Sequence, residues 1–208
     1  LWWEEAGRNK VLPLDDRNRE RVLLTYWGAA RKRWRFEQGM NRVSGYAAPS
    51  VSNRSYRIAA DVELAAGSEG VILSVGGQAG GYVLFIQNGR LVHEYVGPDR
   101  RQVLESDIVL PTGRHQVAFE FRKTAPRTGV ASLLCDGVVI ATGSLDRMWP
   151  GSPTAGGVCC GFNEASPVSD RYVRPFTFTG LIHEVVVEAS DDYVDDPGLA
   201  IHIALAED

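Results

Sequence analysis

Residues 55–96 read SYRIAADVELAAGSEGVILSVGGQAGGYVLFIQNGRLVHEYV, and this stretch decides the fold class. Its opening alternates with period two. Tyr56, Ile58, Ala60, Val62 and Leu64 fall on one face, with Arg57, Asp61 and Glu63 on the other. Successive side chains of an extended chain point to opposite sides, so this is the pattern of a strand with one buried face. A Gly-Ser turn leads into GVILSV. GGYVLFI is apolar at every position, which predicts a strand covered on both faces or lying mid-sheet. Asn88-Gly89 then precedes RLVHEYV, and because both residues tolerate positive φ the pair predicts a type I′ hairpin. GGQAGG (76–81) lies between two strands and not before a helix, so it reads as a hairpin loop and not as a phosphate cradle.

The same scheme recurs downstream. GRHQVAFEFR (113–122) places Val117, Phe119 and Phe121 together, and VASLLC meets VVIATG across Asp136-Gly137, a second favoured hairpin dipeptide. GGVCCGF is a short strand between glycines. In FTGLIHEVVVE, Glu184 and Glu188 face one way and Val185 and Val187 the other, and His183 shares the parity of the valines and is expected inward. No long amphipathic helix and no βαβ rhythm interrupts these strands. The fold class is all-β: an antiparallel two-sheet sandwich.

Three segments follow. Residues 1–25 contain a helical turn or two, LWWEEAGR, then VLPLDD broken by Pro13, then a second short helix, RNRERVLL, capped by Asp15 or Asp16. Residues 26–190 form the sandwich. Residues 191–208 are an acidic linker and tail, the tail adding an edge strand or lying loose.

The 208-residue chain is 44% hydrophobic and 23% charged, enough apolar material for a core of its own. A net charge of −4 argues against nucleic acid as a partner, since phosphate neutralisation needs a basic surface. No apolar run is long enough to span a bilayer, so no membrane partner is expected. Cys135, Cys159 and Cys160 are too few and too odd for a disulfide framework; they read as buried thiols and slightly favour a soluble, cytoplasmic setting. Three thiols and four scattered histidines suggest no metal site.

VLPLDDR, SVSNRSYRIAADVEL, GVILSVGGQAGGYVLFIQNGRLVHEY, LPTGRHQVAFEF, LLCDGVVIATG and SPVSDRY…FTFTGLIHEVVVE occur in this order over residues 8–188. In that order they resemble the C-terminal region of bacterial arylsulfatases. The resemblance implies a concanavalin A-like or laminin-G-like jelly roll appended to an α/β catalytic domain, with residues 1–25 as the end of that domain plus a linker. Trp2, Trp3, Val11, Leu12, Leu14, Asp15 and Asp16 are then interdomain-contact candidates. Their apolar members are expected to be exposed, or covered by another copy of the chain. A parent sulfatase would use formylglycine and a divalent cation, Ca or Mg. The formylglycine motif is Cys/Ser-x-Pro-x-Arg, and none of the ten prolines is preceded at two places by Cys or Ser. The chain alone is therefore not expected to hydrolyse sulfate esters, and it carries no cofactor of its own.

Other constellations are weaker. RKRWR sets Arg33, Trp34 and Arg35 as ligand-contact candidates for a sulfated or carboxylated glycan, against a solubilised edge strand. Asn163 and Asp170, in the loop after CCGF, are further candidates. Asp191, Asp192, Asp195 and Asp196 weigh a calcium loop against a solvated linker. Catalytic residues are assigned to none. Two functions follow: a non-catalytic sandwich accessory to a sulfatase catalytic domain, or a lectin-like carbohydrate-binding module. A stand-alone glycoside-active sandwich is disfavoured, because its Glu-x-Asp-x-x-Glu pattern is absent. Homo-oligomerisation is a further expectation.

Overall fold

The described residues form eleven strands: β1 (Arg33–Phe36), β2 (Tyr56–Leu64), β3 (Gly70–Gly77), β4 (Gly80–Gln87), β5 (Arg90–Val96), β6 (Arg101–Glu105), β7 (Gly113–Ala125), β8 (Thr128–Cys135), β9 (Val138–Leu145), β10 (Val158–Cys160) and β11 (Leu181–Ala189). The computed structural model describes residues 2–8, 31–44, 47–97, 99–149, 156–164 and 166–192. By compactness the chain divides into residues 1–31 and 32–208.

In the first unit, α1 spans Trp2–Arg8. Glu4 and Glu5 sit in its first turn, where negative charge is favoured by the helix dipole. The Trp2 and Trp3 rings meet edge to face at 4.8 Å, and both are exposed. Val11, Leu12, Leu14, Asp15, Asp16, the second helix and the tail beyond residue 192 lie outside the described residues.

In the second unit, the strands pair antiparallel into two sheets: six-stranded, in the order β1-β11-β2-β7-β8-β9, and five-stranded, in the order β10-β3-β4-β5-β6. The inner faces meet in one core. Trp34, Phe36, Tyr56, Ile58, Val62, Phe119 and Val185 from the first sheet pack with Ile72, Tyr82, Leu84, Ile86, Leu91 and Tyr95 from the second. Each such side chain contributes about 1.5–3 kcal/mol by leaving water.

Both expected hairpins form. Asn88 and Gly89 have φ of 53° and 72° between paired Gln87 and Arg90. Asp136 and Gly137 have 50° and 79° between Cys135 and Val138. GGQAGG closes β3 onto β4. There Gly81 sits at φ 157°, and a Cβ would lie 2.2 Å from the Val75 carbonyl oxygen, so a side chain would displace the backbone.

Strand β6 escapes the sequence pattern because it is the edge of its sheet and half-buried along its length, so nothing alternates. His183 departs from expectation in the other direction. Ile182 pairs with Val62 and Glu184 with Asp61, leaving His183 as an extra residue on β11. This bulge switches its parity, and the ring stands exposed with Nε2 3.5 Å from Glu63 Oε2.

The five-stranded sheet is covered on both faces, one of the two expectations for GGYVLFI. Val168, Tyr172 and Phe176 from the segment after β10 lie over Val71, Val83, Phe85, Val92 and Val96. The Tyr172 ring is 5.3 Å from Phe85 and 4.9 Å from Phe176. With both faces covered, Cys159 and Cys160 are each buried although they point oppositely, and all three cysteines are free.

His93 sits on the inner face of β5, fully buried, its ring stacked on Phe119 at 3.5 Å and 9°. Neither ring nitrogen has a hydrogen-bond partner. Burial pushes its pKa down to about 3, so the ring is neutral. No described helix is long and apolar enough to cross a membrane.

Candidate functional site

The outer face of the six-stranded sheet is the complement of the buried face of β2, β7 and β11. Register alone assembles it. One cross-strand row runs Arg33, Glu188, Arg57, Glu120, Ser132, Thr142 through every strand of the sheet. The next row is Arg35, Val186, Ala59, Ala118, Leu134 and Val139. Beyond it stand Glu184, Asp61 and Gln116, then Glu63 opposite Arg114. A lane of two small residues, Ala59 half-buried and Ala118 buried, thus runs between rows of charged and amide side chains.

Neighbouring opposite charges hold the rows in place. Arg35 Nε is 2.6 Å from Glu184 Oε1, and Arg33 Nε is 3.6 Å from Glu188 Oε1. Arg114 donates through Nε and Nη2 to the two oxygens of Asp61 at 2.9 and 2.5 Å. That fork holds the Asp61 carboxyl below its ordinary range. Arg57 reaches across the lane, donating through Nε to Glu120 Oε1 at 2.9 Å and through Nη2 to Gln116 Oε1 at 3.0 Å. These pairs are largely exposed, so they orient side chains more than they stabilise the fold.

The sequence candidates separate. Arg33 and Arg35 stand on this face. Trp34 does not join them: it is 4% exposed and packs in the core, because on β1 the residue between two outward arginines must point inward. It offers no stacking surface. Asn163 is likewise no ligand contact. It is buried, its Oδ1 accepts from Val168 N at 3.1 Å and from the Tyr172 hydroxyl at 2.8 Å, and its Nδ2 donates to Ser166 O at 3.3 Å. Asn163 ties the covering segment to the five-stranded sheet. Asp170 lies on the opposite side of the sandwich from Arg33, its Oδ2 3.0 Å from Arg101 Nε. Arg101 in turn donates to buried Glu94 at 2.8 Å and to the Val168 carbonyl at 2.5 Å. Trp2 and Trp3 are on α1.

Asp192 ends the strand system: its Oδ1 and Oδ2 accept from Ser55 N and Oγ at 2.8 and 2.5 Å. These hydrogen bonds occupy both oxygens; Asp195 and Asp196 lie outside the described residues. Arg57, Arg114, Gln116 and Glu120 carry the lane and were not singled out as site residues from sequence. Their signal was the polar parity of β2 and β7, but only the register shows that the two polar sets face each other.

No protein-family model and no curated protein matches the chain. Solved structures do. The CBM40 of a Ruminococcus gnavus IT-sialidase, solved bound to alpha2,6 sialyllactose, aligns with TM-score 0.51 and 17% identity over 81% of this chain and 95% of that one. The NanB sialidase of Streptococcus pneumoniae aligns with TM-score 0.52 and 11% identity over 80% of this chain and 27% of that chain. Domains LG4-5 of the mouse laminin alpha1 chain align with TM-score 0.47 and 17% identity over 77% of this chain, which spans 43% of that chain's length. At these identities the likeness is one of fold: the chain is a jelly-roll sandwich similar to those of lectin-like domains.

Proposed function

We propose that the sandwich is a lectin-like carbohydrate-binding module whose ligand lies in the lane on the outer face of the six-stranded sheet. The observation that carries this reading is the field of mutually oriented hydrogen-bonding side chains on this face, Arg57 with Glu120 and Gln116 and Arg114 with Asp61. A sugar's hydroxyl groups are held by donors and acceptors set in advance. Arg57, Arg114 and Gln116 supply donors, and Asp61, Glu120 and Glu184 supply acceptors for hydroxyl groups. Arg33, Arg35, Arg57, Arg114 and Arg122 are matched by Asp61, Glu63, Glu120, Glu184 and Glu188, so the face has no cationic excess and suits a neutral glycan better than a polyanion. The fold of a CBM40 solved with sialyllactose, an acidic glycan, supports carbohydrate binding by such a sandwich but not the preference for a neutral ligand.

Isothermal titration against neutral, sialylated and sulfated glycans tests it. Binding to a neutral glycan, weakened about tenfold or more by Arg57→Ala, is expected, since a hydrogen bond to a charged group contributes about 1.5–3 kcal/mol. Flat heats across the whole panel sink the proposal.

A second reading, the C-terminal appendage of a sulfatase-type hydrolase, is favoured by the exposed Trp2 and Trp3 pair on α1. Such aromatic surface suits contact with another domain. Its test is the reading frame itself: a sulfatase domain encoded directly upstream supports it, and an unrelated or absent upstream domain removes it. The two readings are compatible, since an appended sandwich can also bind a glycan.

A further inference from the structure

We propose that His115 Nδ1, Cys135 Sγ and Asp136 Oδ2 form a three-ligand site for a Zn²⁺-class divalent cation at the β7–β8 end of the sandwich, with a fourth position open to solvent. Sequence reading assigns no metal ligand, because these residues are scattered. The antiparallel register brings them together: Val117 pairs with Cys135, which sets His115 beside the Asp136-Gly137 turn. All three ligand atoms lie within 4.8 Å of one another.

The His115 ring has more acceptors around it than a neutral imidazole can serve. Its Nδ1 lies 2.7 Å from Asp136 Oδ2, and its Nε2 lies 3.2 Å from the Thr112 carbonyl oxygen. Both neighbours are acceptors, and a neutral imidazole has one donor. Once Nε2–H donates to Thr112, the contact of Nδ1 with the carboxylate is satisfied either by a second ring proton or by a cation held beside both atoms. A proton fills that role alone; a metal fills it and also engages the third group, the Cys135 sulfur 3.9 Å from the same Asp136 oxygen.

A ligating imidazole is generally fixed by donating its other nitrogen to a carbonyl, as Nε2 does here. The Asp136 carboxylate is aimed by its second oxygen, which accepts from Gln116 N at 2.9 Å. Cys135 is buried, His115 half-buried and Asp136 exposed, so the site has a dry floor and a wet mouth.

Geometry and ligand type choose the ion. Bonds of about 2.0 Å to nitrogen and oxygen and 2.3 Å to sulfur place tetrahedral ligand atoms roughly 3.3–3.6 Å apart, so on binding Nδ1 moves away from Oδ2, now at 2.7 Å, and Sγ draws in from 3.9 Å. One thiolate, one imidazole and one carboxylate suit Zn²⁺ or Co²⁺; Ca²⁺ and Mg²⁺ require oxygen shells. Binding breaks the S–H bond of Cys135 and releases its proton to buffer, with the ring proton also released where His115 is protonated.

The test uses the full chain stripped by chelator. Titration with Co²⁺ is expected to give a near-ultraviolet thiolate-to-cobalt charge-transfer band at one equivalent, and Zn²⁺ is expected to abolish it and raise the melting temperature. The near-isosteric Cys135→Ser removes the band, and Cys159→Ser keeps it. His115→Gln, at a half-buried rim position, weakens Zn²⁺ binding by at least about tenfold and carries the test if the serine variant fails to fold. Absence of the band in the wild-type chain, its survival in Cys135→Ser, or Zn²⁺ affinity unchanged in His115→Gln overturns the proposal.

Discussion

The His93 ring offers a sharp test of how the core is held. It lies fully buried against Phe119, both nitrogens lack a partner, and burial alone lowers its pKa from 6.5 to about 3. Because the folded-state value is depressed, the folded ring stays neutral while the unfolded chain binds a proton below pH 6.5. The contribution to stability is therefore full above pH 6.5 and is lost as the pH falls from 6.5 toward 3. At pH 5 the folded ring is still neutral, so the loss is set by the unfolded ring, and it amounts to about 2 kcal/mol relative to pH 7.5. Replacing the ring by leucine removes this term and leaves every other titrating group in place. Urea unfolding of the wild-type chain and of His93→Leu at pH 7.5 and pH 5 reads it directly. The drop in unfolding free energy between the two pH values is expected to be about 2 kcal/mol smaller in the variant, whatever its absolute stability. Equal drops in the two proteins would refute the neutral buried ring.

Three further outcomes follow from particular contacts. Trp34→Ala is expected to destabilise the fold by about 3–5 kcal/mol through a large core cavity, seen as a lowered urea midpoint, whereas Arg33→Ala and Arg35→Ala shift it by less than about 1 kcal/mol. Asn163→Ala strips the Val168 amide and the Tyr172 hydroxyl of their acceptor. A loss of about 1–3 kcal/mol is expected, with increased binding of a hydrophobic dye as the segment over the five-stranded sheet loosens. Burial pushes the Cys160 thiol up to about 12, so its modification by a thiol reagent at pH 8 is expected to await unfolding; rapid labelling of the native chain at this residue would contradict the packing.

How much of this could be read beforehand differs from element to element. Strands β2, β4, β5, β7 and β8 and the two I′ hairpins are local: period-two alternation in β2 and β7, short apolar runs in β4, β5 and β8, and pairs of residues tolerant of positive φ specify them without reference to the rest of the chain. The apolar run of β4 even allowed for a second covering layer. What it left open was the identity of that layer, since Val168, Tyr172 and Phe176 lie in a segment with no periodicity of its own. His183 was misplaced by parity because a bulge belongs to the pairing of two strands and not to either strand.

The candidate sites sit further along the same scale. Amino-acid order settled the all-β class, and it grouped Arg33, Trp34 and Arg35 as ligand contacts or a solubilised edge. Tertiary structure decided which faces are open. It turned Trp34 into core, made Asn163 a tether, laid Arg57 across Ala59 and Ala118 toward Gln116, and set His115 against Cys135 and Asp136. The physical reason is one of range. Side-chain parity follows from the backbone two residues at a time, whereas a binding surface is made by strands far apart in the chain, whose register is fixed only when both sheets close on a common core.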